Sequence, residues 1–124
     1  MKGIAEYHST VIDCPDPKKL ADFYSRLFGW PVIYDEDDWV VLKDTGSSMR
    51  LAFQRVGDFR PPVWPEGERP QQLHIDTVVD DLDAAEEQVL KFGATKHEVQ
   101  PSESDNFRVY LDPAGHPFCL TIAD

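Results

Sequence analysis

The residues best suited to chemistry are His74 and Asp76, which stand two positions apart in the segment QLHIDTVV. That segment is rich in β-branched residues, which predicts a β-strand. An imidazole beside a carboxylate is a common general acid/base pair. Side chains at positions i and i+2 of a strand lie about 7 Å apart, so we expect a water or a substrate between them. A structural alternative is that Asp76 pairs with Arg50 or Arg55 across strands.

Two helices, each followed and preceded by short strands, are predicted to position these side chains. Asp16 is expected to cap the first helix, Pro17 to occupy its first position and Gly29 to end it. The second helix is expected to open at Asp81 and to end at Gly93. The predicted strands are residues 6–13, 31–34, 39–43, 49–55, 72–79, 95–99, 107–111 and 117–122. The element order is therefore β-α-β-β-β, written twice.

The two halves of the chain also match in spacing. His74 precedes Asp81 by seven residues. Ser9 precedes Asp16 by the same distance, so the two pairs are offset by 65 residues. A repeat present only twice is not a solenoid, and each half needs the other to complete a core. We expect a single domain over residues 1–124, with module one at 1–55, a Pro-rich linker at 56–71 and module two at 72–124.

The charge balance argues against nucleic acid as a partner. The 124 residues include 12 Lys plus Arg against 23 Asp plus Glu, a net charge of −11, without a basic run. Nucleic acids are bound by clustered Lys and Arg.

The sequence contains no run of about 20 apolar residues, so we expect no membrane-spanning helix. The segment MKGIAEYHST lacks the apolar stretch of a secretory signal, so we expect a cytoplasmic protein.

Three segments resemble the vicinal oxygen chelate superfamily, which includes glyoxalase I, bleomycin-resistance proteins, fosfomycin-resistance enzymes and extradiol dioxygenases. They are IDCPDPKKLADFYSRLFGW, QLHIDTVVDDLDAAEEQVLKFGAT and YLDPAGHPFCL. Within the superfamily, the chain looks most like the small bacterial glyoxalase-like domains. The resemblance implies an α+β fold of two βαβββ modules, whose eight strands form a cup-shaped sheet with the helices outside and a ligand inside.

The resemblance also implies a divalent metal, held by one residue from the first strand and one from the last strand of each module. The corresponding positions here are Ser9, Ala52, His74 and Cys119. His74 matches the family pattern, whereas Ser9, Ala52 and Cys119 depart from it. A divalent metal therefore needs unconventional partners for His74, such as Cys119, Glu6 or His8, and we expect the usual metal site to be absent.

If Ser9 and His74 face the inside of the cup, strand alternation sends further side chains to the same face, among them Pro117 and Thr121 of the last strand. Trp64 lies in PPVWPEG without a periodic partner, so it packs on its own chain, inserts into a partner subunit or covers the pocket mouth. His97 and His116 are expected to be exposed. The predicted ligand-binding residues are Ser9, Asp13, Gln54, Trp64, His74, Asp76 and Cys119.

These residues support three hypotheses of function. The first is a protein that binds a small organic molecule in the cup without the usual metal, with Asp13 and Asp76 favouring a cationic ligand. The alternative is a metal-dependent glyoxalase-type lyase, isomerase or dioxygenase that uses His74. The third is metal-free acid/base catalysis by His74 and Asp76. The superfamily often dimerises, so a homodimer is expected.

Overall fold

The computed structural model describes residues 3–122. The chain divides into two compact units, and the boundary along the sequence lies between Phe59 and Arg60. That boundary lies inside the predicted linker. No helix within the described residues is long and apolar enough to cross a membrane. The elements are β1 (Thr10–Cys14), α1 (Pro17–Phe28), β2 (Val32–Glu36), β3 (Trp39–Lys43), β4 (Arg50–Arg55), β5 (Ile75–Val79), α2 (Leu82–Phe92), β6 (Thr95–Lys96), β7 (Phe107–Leu111) and β8 (Pro117–Ile122).

Unit one is a four-stranded sheet with one helix. The strand order is β1-β4-β3-β2, in which β1 is parallel to β4 and the other neighbours are antiparallel. The apolar face of α1 is buried, with Leu20, Phe23 and Tyr24 almost fully covered. The Tyr24 ring stacks on Phe53 of β4 with centroids 5.7 Å apart, which places the core between this helix and its sheet.

Unit two repeats this architecture with the order β5-β8-β7-β6, again with one parallel pair, β5 with β8. Asp76 of β5 stands opposite Cys119 of β8. The equivalent pair in unit one is Val11 opposite Ala52. The prediction of two βαβββ modules is thereby confirmed, while their assembly into a cup stays a prediction.

Both helix starts and both helix ends follow the sequence rules. The Asp16 side chain accepts a hydrogen bond from the Lys19 backbone N–H at 3.2 Å, and the Asp81 side chain accepts one from the Ala84 N–H at 3.1 Å. Each satisfies an N–H that the first helical turn leaves free. Gly29 ends α1 with a φ of 74°, a left-handed conformation that glycine adopts without a Cβ clash.

Polar side chains join α2 to β7 on the helix side of the unit-two sheet. Arg108 donates hydrogen bonds to Asp105 Oδ1 and Oδ2 at 2.9 and 2.8 Å and to Asp83 Oδ1 at 2.9 Å. The fully buried Tyr110 donates its hydroxyl hydrogen to Glu86 Oε1 at 2.7 Å. Because Arg108 and Tyr110 both point toward α2, strand alternation sends Phe107 and Val109 to the opposite face.

Strand β6 is shorter than predicted, because a side chain takes over part of its pairing. The strand ends at Lys96, although the sequence predicts a strand to residue 99. Beyond it, the Gln100 amide Nε2 donates to the Val109 carbonyl at 2.8 Å, and its Oε1 accepts from the Val109 N–H at 2.9 Å. The main chain still makes one bond here, because the His97 N–H donates to the Val109 carbonyl at 3.0 Å. The Gln100 side chain provides the other bond, to the Val109 N–H, which a strand carbonyl would otherwise accept.

Candidate functional site

A pocket of about 380 Å³ lies on the face of the unit-two sheet opposite α2. Its floor comes from alternate residues of β5, β7 and β8, and part of its wall comes from the Pro-rich segment before β5. The segment predicted as a linker therefore contributes to the pocket. The lining residues are Trp64, Gln71, His74, Asp76, Pro101, Phe107, Val109, Pro117, Cys119 and Thr121.

His74 and Asp76 are in direct contact in this pocket. The His74 Nε2 atom lies 3.0 Å from Asp76 Oδ1. The expected gap of about 7 Å assumed that both residues belong to a regular strand. That assumption was wrong, because β5 begins at Ile75 and His74 precedes it. Both side chains reach solvent, with 39% of His74 and 68% of Asp76 exposed, so a bound molecule can contact them.

Cys119 lies beside this pair, on the strand next to Asp76. Its side chain is buried, with 7% of the residue exposed. Burial, followed by the nearby charge of Asp76 and a hydrogen bond with that carboxylate, raises the pKa of the Cys119 thiol to about 12. The thiol is therefore protonated near neutral pH and is a weak nucleophile in this form. The ligand atoms of His74, Asp76 and Cys119 all lie within 4.8 Å of one another.

Trp64 packs against its own unit and lines the pocket. Its ring meets the His97 ring edge to face, with centroids 5.0 Å apart and an angle of 83° between the planes. His97 is half-buried, and so is His116, so the expectation that both are exposed was wrong. The His97 Nδ1 atom also accepts a hydrogen bond from the Val99 N–H at 3.0 Å, which fixes the ring against Trp64.

Three of the predicted ligand-binding residues belong to unit one. Ser9 is half-buried, and its Oγ lies 3.0 Å from His8 Nδ1. Asp13 of β1 stands opposite Gln54 of β4, and both are exposed. Their contribution to a ligand site stays a prediction, whereas Trp64, His74, Asp76 and Cys119 line one pocket in unit two.

The metal arrangement that the family resemblance implies does not fit this chain. It requires a donor at the last-strand position of module one, where Ala52 has no donor atom and is fully buried. The first-strand position of module one holds Ser9, a neutral hydroxyl rather than an imidazole or a carboxylate. Only module two offers donors at both of these positions, His74 and Cys119.

Four lining residues were not predicted from the sequence: Gln71, Pro101, Phe107 and Val109. Phe107 and Val109 could have been found, because strand alternation gives them the same face. Gln71 carries no such signal in the Pro-rich segment. Its Oε1 atom is buried, and no donor among the described residues bonds to it. The pocket thus combines two acceptors, Gln71 and Asp76, with apolar walls, and its lining contains no lysine or arginine.

Comparison with known proteins agrees with this architecture. The model of the glyoxalase-like domain family matches residues 9–121. No curated protein matches the chain significantly. A glyoxalase/bleomycin resistance protein/dioxygenase family enzyme from Burkholderia phytofirmans PsJN is 20% identical, with a TM-score of 0.70 over 95% of this chain and 98% of that one.

Two further solved structures share the fold. A glyoxalase family protein from Enterococcus faecalis is 19% identical, with a TM-score of 0.67 over 95% of this chain and 98% of that one. The bleomycin-binding protein from Streptomyces verticillus, solved with copper(II)-bleomycin, is 16% identical, with a TM-score of 0.57 over 98% of this chain and 100% of that one. Together with the match to the family model, they place the chain in the glyoxalase-like domain family, as its resemblance to the vicinal oxygen chelate superfamily predicted.

Proposed function

We propose that the protein binds a small organic molecule in the unit-two pocket, and that this molecule carries a flat apolar part and a positively charged or hydrogen-bond-donating group. The observation that supports the proposal is the chemistry of the residues that line the pocket. Trp64 and Phe107 offer aromatic surfaces, while Asp76 and Gln71 offer acceptors. A buried acceptor without a donor costs about 1–3 kcal/mol, and a donor on the ligand would recover it.

The size of the pocket is consistent with this ligand class. Its volume of about 380 Å³ lies at the lower end of the range for small-molecule sites, roughly 300–1,000 Å³. An anionic ligand is disfavoured, because Asp76 would repel it and the lining has no lysine or arginine to neutralise it. The Streptomyces verticillus structure supports the proposal only by showing that this fold accommodates a drug molecule.

Ligand binding is tested by thermal denaturation and tryptophan fluorescence against matched aromatic compounds that differ only in charge, with a chelator present throughout. We expect cationic compounds to stabilise the protein and anionic ones to leave it unchanged. Asp76→Asn should weaken binding of the cations by about 10–100-fold, the loss of one charge-assisted hydrogen bond. Asp80→Asn, an exposed change outside the pocket lining, is the control. A preference for anions, or equal losses in both variants, would contradict the proposal.

A second candidate function is catalysis at the same place, and the direct contact between His74 and Asp76 favours it. The carboxylate can orient the imidazole, so His74 can move a proton on a bound substrate. Glyoxalase-type lyase, isomerase and dioxygenase assays test this. His74→Gln should abolish turnover while leaving substrate affinity nearly unchanged, and equal losses of kcat/KM in both His74→Gln and Asp80→Asn would count against it.

We also infer that the protein acts as a homodimer in the cytoplasm. Each sheet has two edge strands, and exposed edges favour pairing with another chain. Light scattering of the purified full chain tests the first part, since a monomer at micromolar concentration would refute it.

A further inference from the structure

We propose that His97 is a positioning residue that holds Trp64 in the wall of the unit-two pocket, and that protonation of His97 loosens this wall and weakens the binding of aromatic ligands. The inference rests on the proposed function, because it concerns the regulation of the same pocket. His97 is not one of the lining residues, so it acts on the pocket through Trp64, which is one of them.

Trp64 belongs to a loop, residues 61–70, whose base is fixed independently of the tryptophan ring. The Arg69 Nε atom donates a hydrogen bond to the Pro61 carbonyl at 3.3 Å. Pro61 also packs tightly on the turn between β7 and β8, where a Cβ on Gly115 would lie 2.7 Å from the Pro61 Cβ. Because the backbone is held at its base, the position of the Trp64 ring depends on what the ring itself contacts.

His97 is the aromatic side chain that holds the Trp64 ring. Within the described residues it is the one ring that Trp64 contacts, with centroids 5.0 Å apart and the planes at 83°. The His97 backbone is fixed, since its N–H donates to the Val109 carbonyl at 3.0 Å and its carbonyl accepts from the Gln100 Nε2 at 2.7 Å. The imidazole is therefore the part of this contact that can change.

The hydrogen bond of the imidazole sets its charge in this arrangement. The His97 Nδ1 atom accepts from the Val99 N–H at 3.0 Å, so Nδ1 carries no proton and the ring is neutral. A protonated imidazole is a donor at both nitrogens, and its Nδ1–H would then point at the Val99 N–H. Two donors repel each other, so the charged ring has to turn away from Val99. Its contact with Trp64 is lost with that movement.

The charged and titratable side chains near His97 do not compensate a charge on the ring. Some bond elsewhere: Lys96 to Glu86, Arg108 to Asp83 and Asp105, Arg69 to the Pro61 carbonyl, and His74 to Asp76. Others are exposed, namely Glu66 and Glu68 of the loop and Glu98 next to His97. No carboxylate within residues 3–122 forms an ion pair with His97.

The direction of the pH effect follows from this geometry. A histidine side chain ordinarily changes its charge between about pH 5 and 8. A ligand that packs on Trp64 in its present position needs the neutral form of His97. Its affinity should therefore fall as the pH falls through this range, because ligand and proton favour different arrangements of the same ring.

Tryptophan emission of the ligand-free full chain tests the coupling between His97 and Trp64. From about pH 8 to about pH 5, we expect the wild-type emission to move to longer wavelength in one transition, because solvent reaches the Trp64 ring. His97→Phe keeps an aromatic contact but takes up no proton, and Trp64→Phe removes the reporter, so neither should show the transition. His8→Asn, a change of an exposed histidine in unit one, should keep it.

Two outcomes of this experiment would refute the proposal. One is wild-type emission that does not change over this pH range. The other is the wild-type transition persisting in either His97→Phe or Trp64→Phe, with the variant folded by circular dichroism.

Binding of benzamide and benzamidine, a neutral and a cationic aromatic compound of similar shape, measures the effect on the pocket. The wild-type Kd for benzamide should rise about 2–10-fold from about pH 8 to about pH 5, the contribution of one aromatic contact. His97→Ala should show the weaker Kd at both pH values, and His97→Phe the tighter one at both. Any effect of His74 is present in every variant, so the difference between wild type and His97→Phe isolates His97.

A purely structural role of His97 would weaken binding in His97→Ala but give wild type and His97→Phe the same pH profile, and that result would overturn the proposal. Failure of both compounds to bind at pH 8 would count against the proposed function instead. The emission of the ligand-free protein decides the role of His97 without any ligand, so the two failures are observed separately.

Discussion

The hydrogen bond between Tyr110 and Glu86 provides a test of how the unit-two helix is held to its sheet. Tyr110→Phe removes one oxygen and keeps the ring, so the fully buried site is not left with a cavity. The hydroxyl donates to Glu86 Oε1 at 2.7 Å, and only 22% of the Glu86 side chain is exposed. Solvent therefore replaces the lost bond poorly.

The expected loss of stability depends on the partners that Glu86 retains in the variant. A hydrogen bond to a charged group contributes about 1.5–3 kcal/mol. Without Tyr110, the carboxylate still contacts Lys96 at 2.9 Å and Arg108 at 3.5 Å, which places the loss near the lower value. We expect the free energy of unfolding to fall by about 1.5 kcal/mol. At about 4 °C per kcal/mol, the melting temperature should fall by about 6 °C.

The effect should depend on pH through Glu86. Burial alone would raise the pKa of Glu86, but hydrogen bonds from Lys96 and Tyr110 and the charges of Lys96 and Arg108 outweigh burial and lower that pKa. A lowered pKa in the folded state stabilises the protein above the unfolded value of about 4.3, and this contribution is lost as the pH falls through the folded value. Once Glu86 is protonated, the bond is between neutral groups and about half as strong.

The assay is urea denaturation of wild type and Tyr110→Phe, followed by circular dichroism from about pH 7 to about pH 3. Tyr34→Phe is the matched control, because its hydroxyl also donates to a carboxylate, Glu36, at 3.1 Å, but on the exposed strand β2. It should leave the midpoint unchanged. Equal effects of the two variants, or a Tyr110→Phe effect that does not shrink at low pH, would refute the reasoning.

Three other substitutions test the fold. Gly29→Ala should destabilise by about 1 kcal/mol, because its φ of 74° disfavours a Cβ although no atom lies within 4 Å of one. Gly57→Ala, equally unobstructed and without a positive φ, should be neutral or slightly stabilising in the same thermal melts. Thr77→Val should cost about 1 kcal/mol in urea denaturation, because the buried Thr77 hydroxyl donates to the Cys119 carbonyl at 2.9 Å. An unchanged midpoint would contradict this.

The helix ends were predicted correctly, because capping depends only on residues that are neighbours in the sequence. Asp16, Gly29, Asp81 and Gly93 all lie at the predicted helix ends. The first strand of each module pairs with a strand far away in sequence, and its start was predicted too early. β1 was predicted from residue 6 but begins at Thr10, opposite Leu51, because the partner strand itself begins only one residue earlier.

The candidate site also contains residues that the sequence predicted and residues that it could not predict. Alternation and the internal repeat identified His74, Asp76 and Cys119 as residues of one face, and the structure places them in one pocket. Their contact distance depended on His74 lying outside the strand, which no local pattern indicates. Gln71 could not be predicted, because the path of a Pro-rich segment is set by what it packs against rather than by periodicity.

The Gln100 side chain has a consequence for how this pocket can change. A glutamine amide carries a donor and an acceptor, as a peptide group does, and here it occupies the edge of β7 where main chain would otherwise pair. Residues 102–105 lie outside the sheet, between two residues that line the pocket, Pro101 and Phe107. Substitutions or insertions before Asp105, whose carboxylate holds Arg108, can reshape the binding site without shifting the register of any strand, so selection for a new ligand need not act against the stability of the fold.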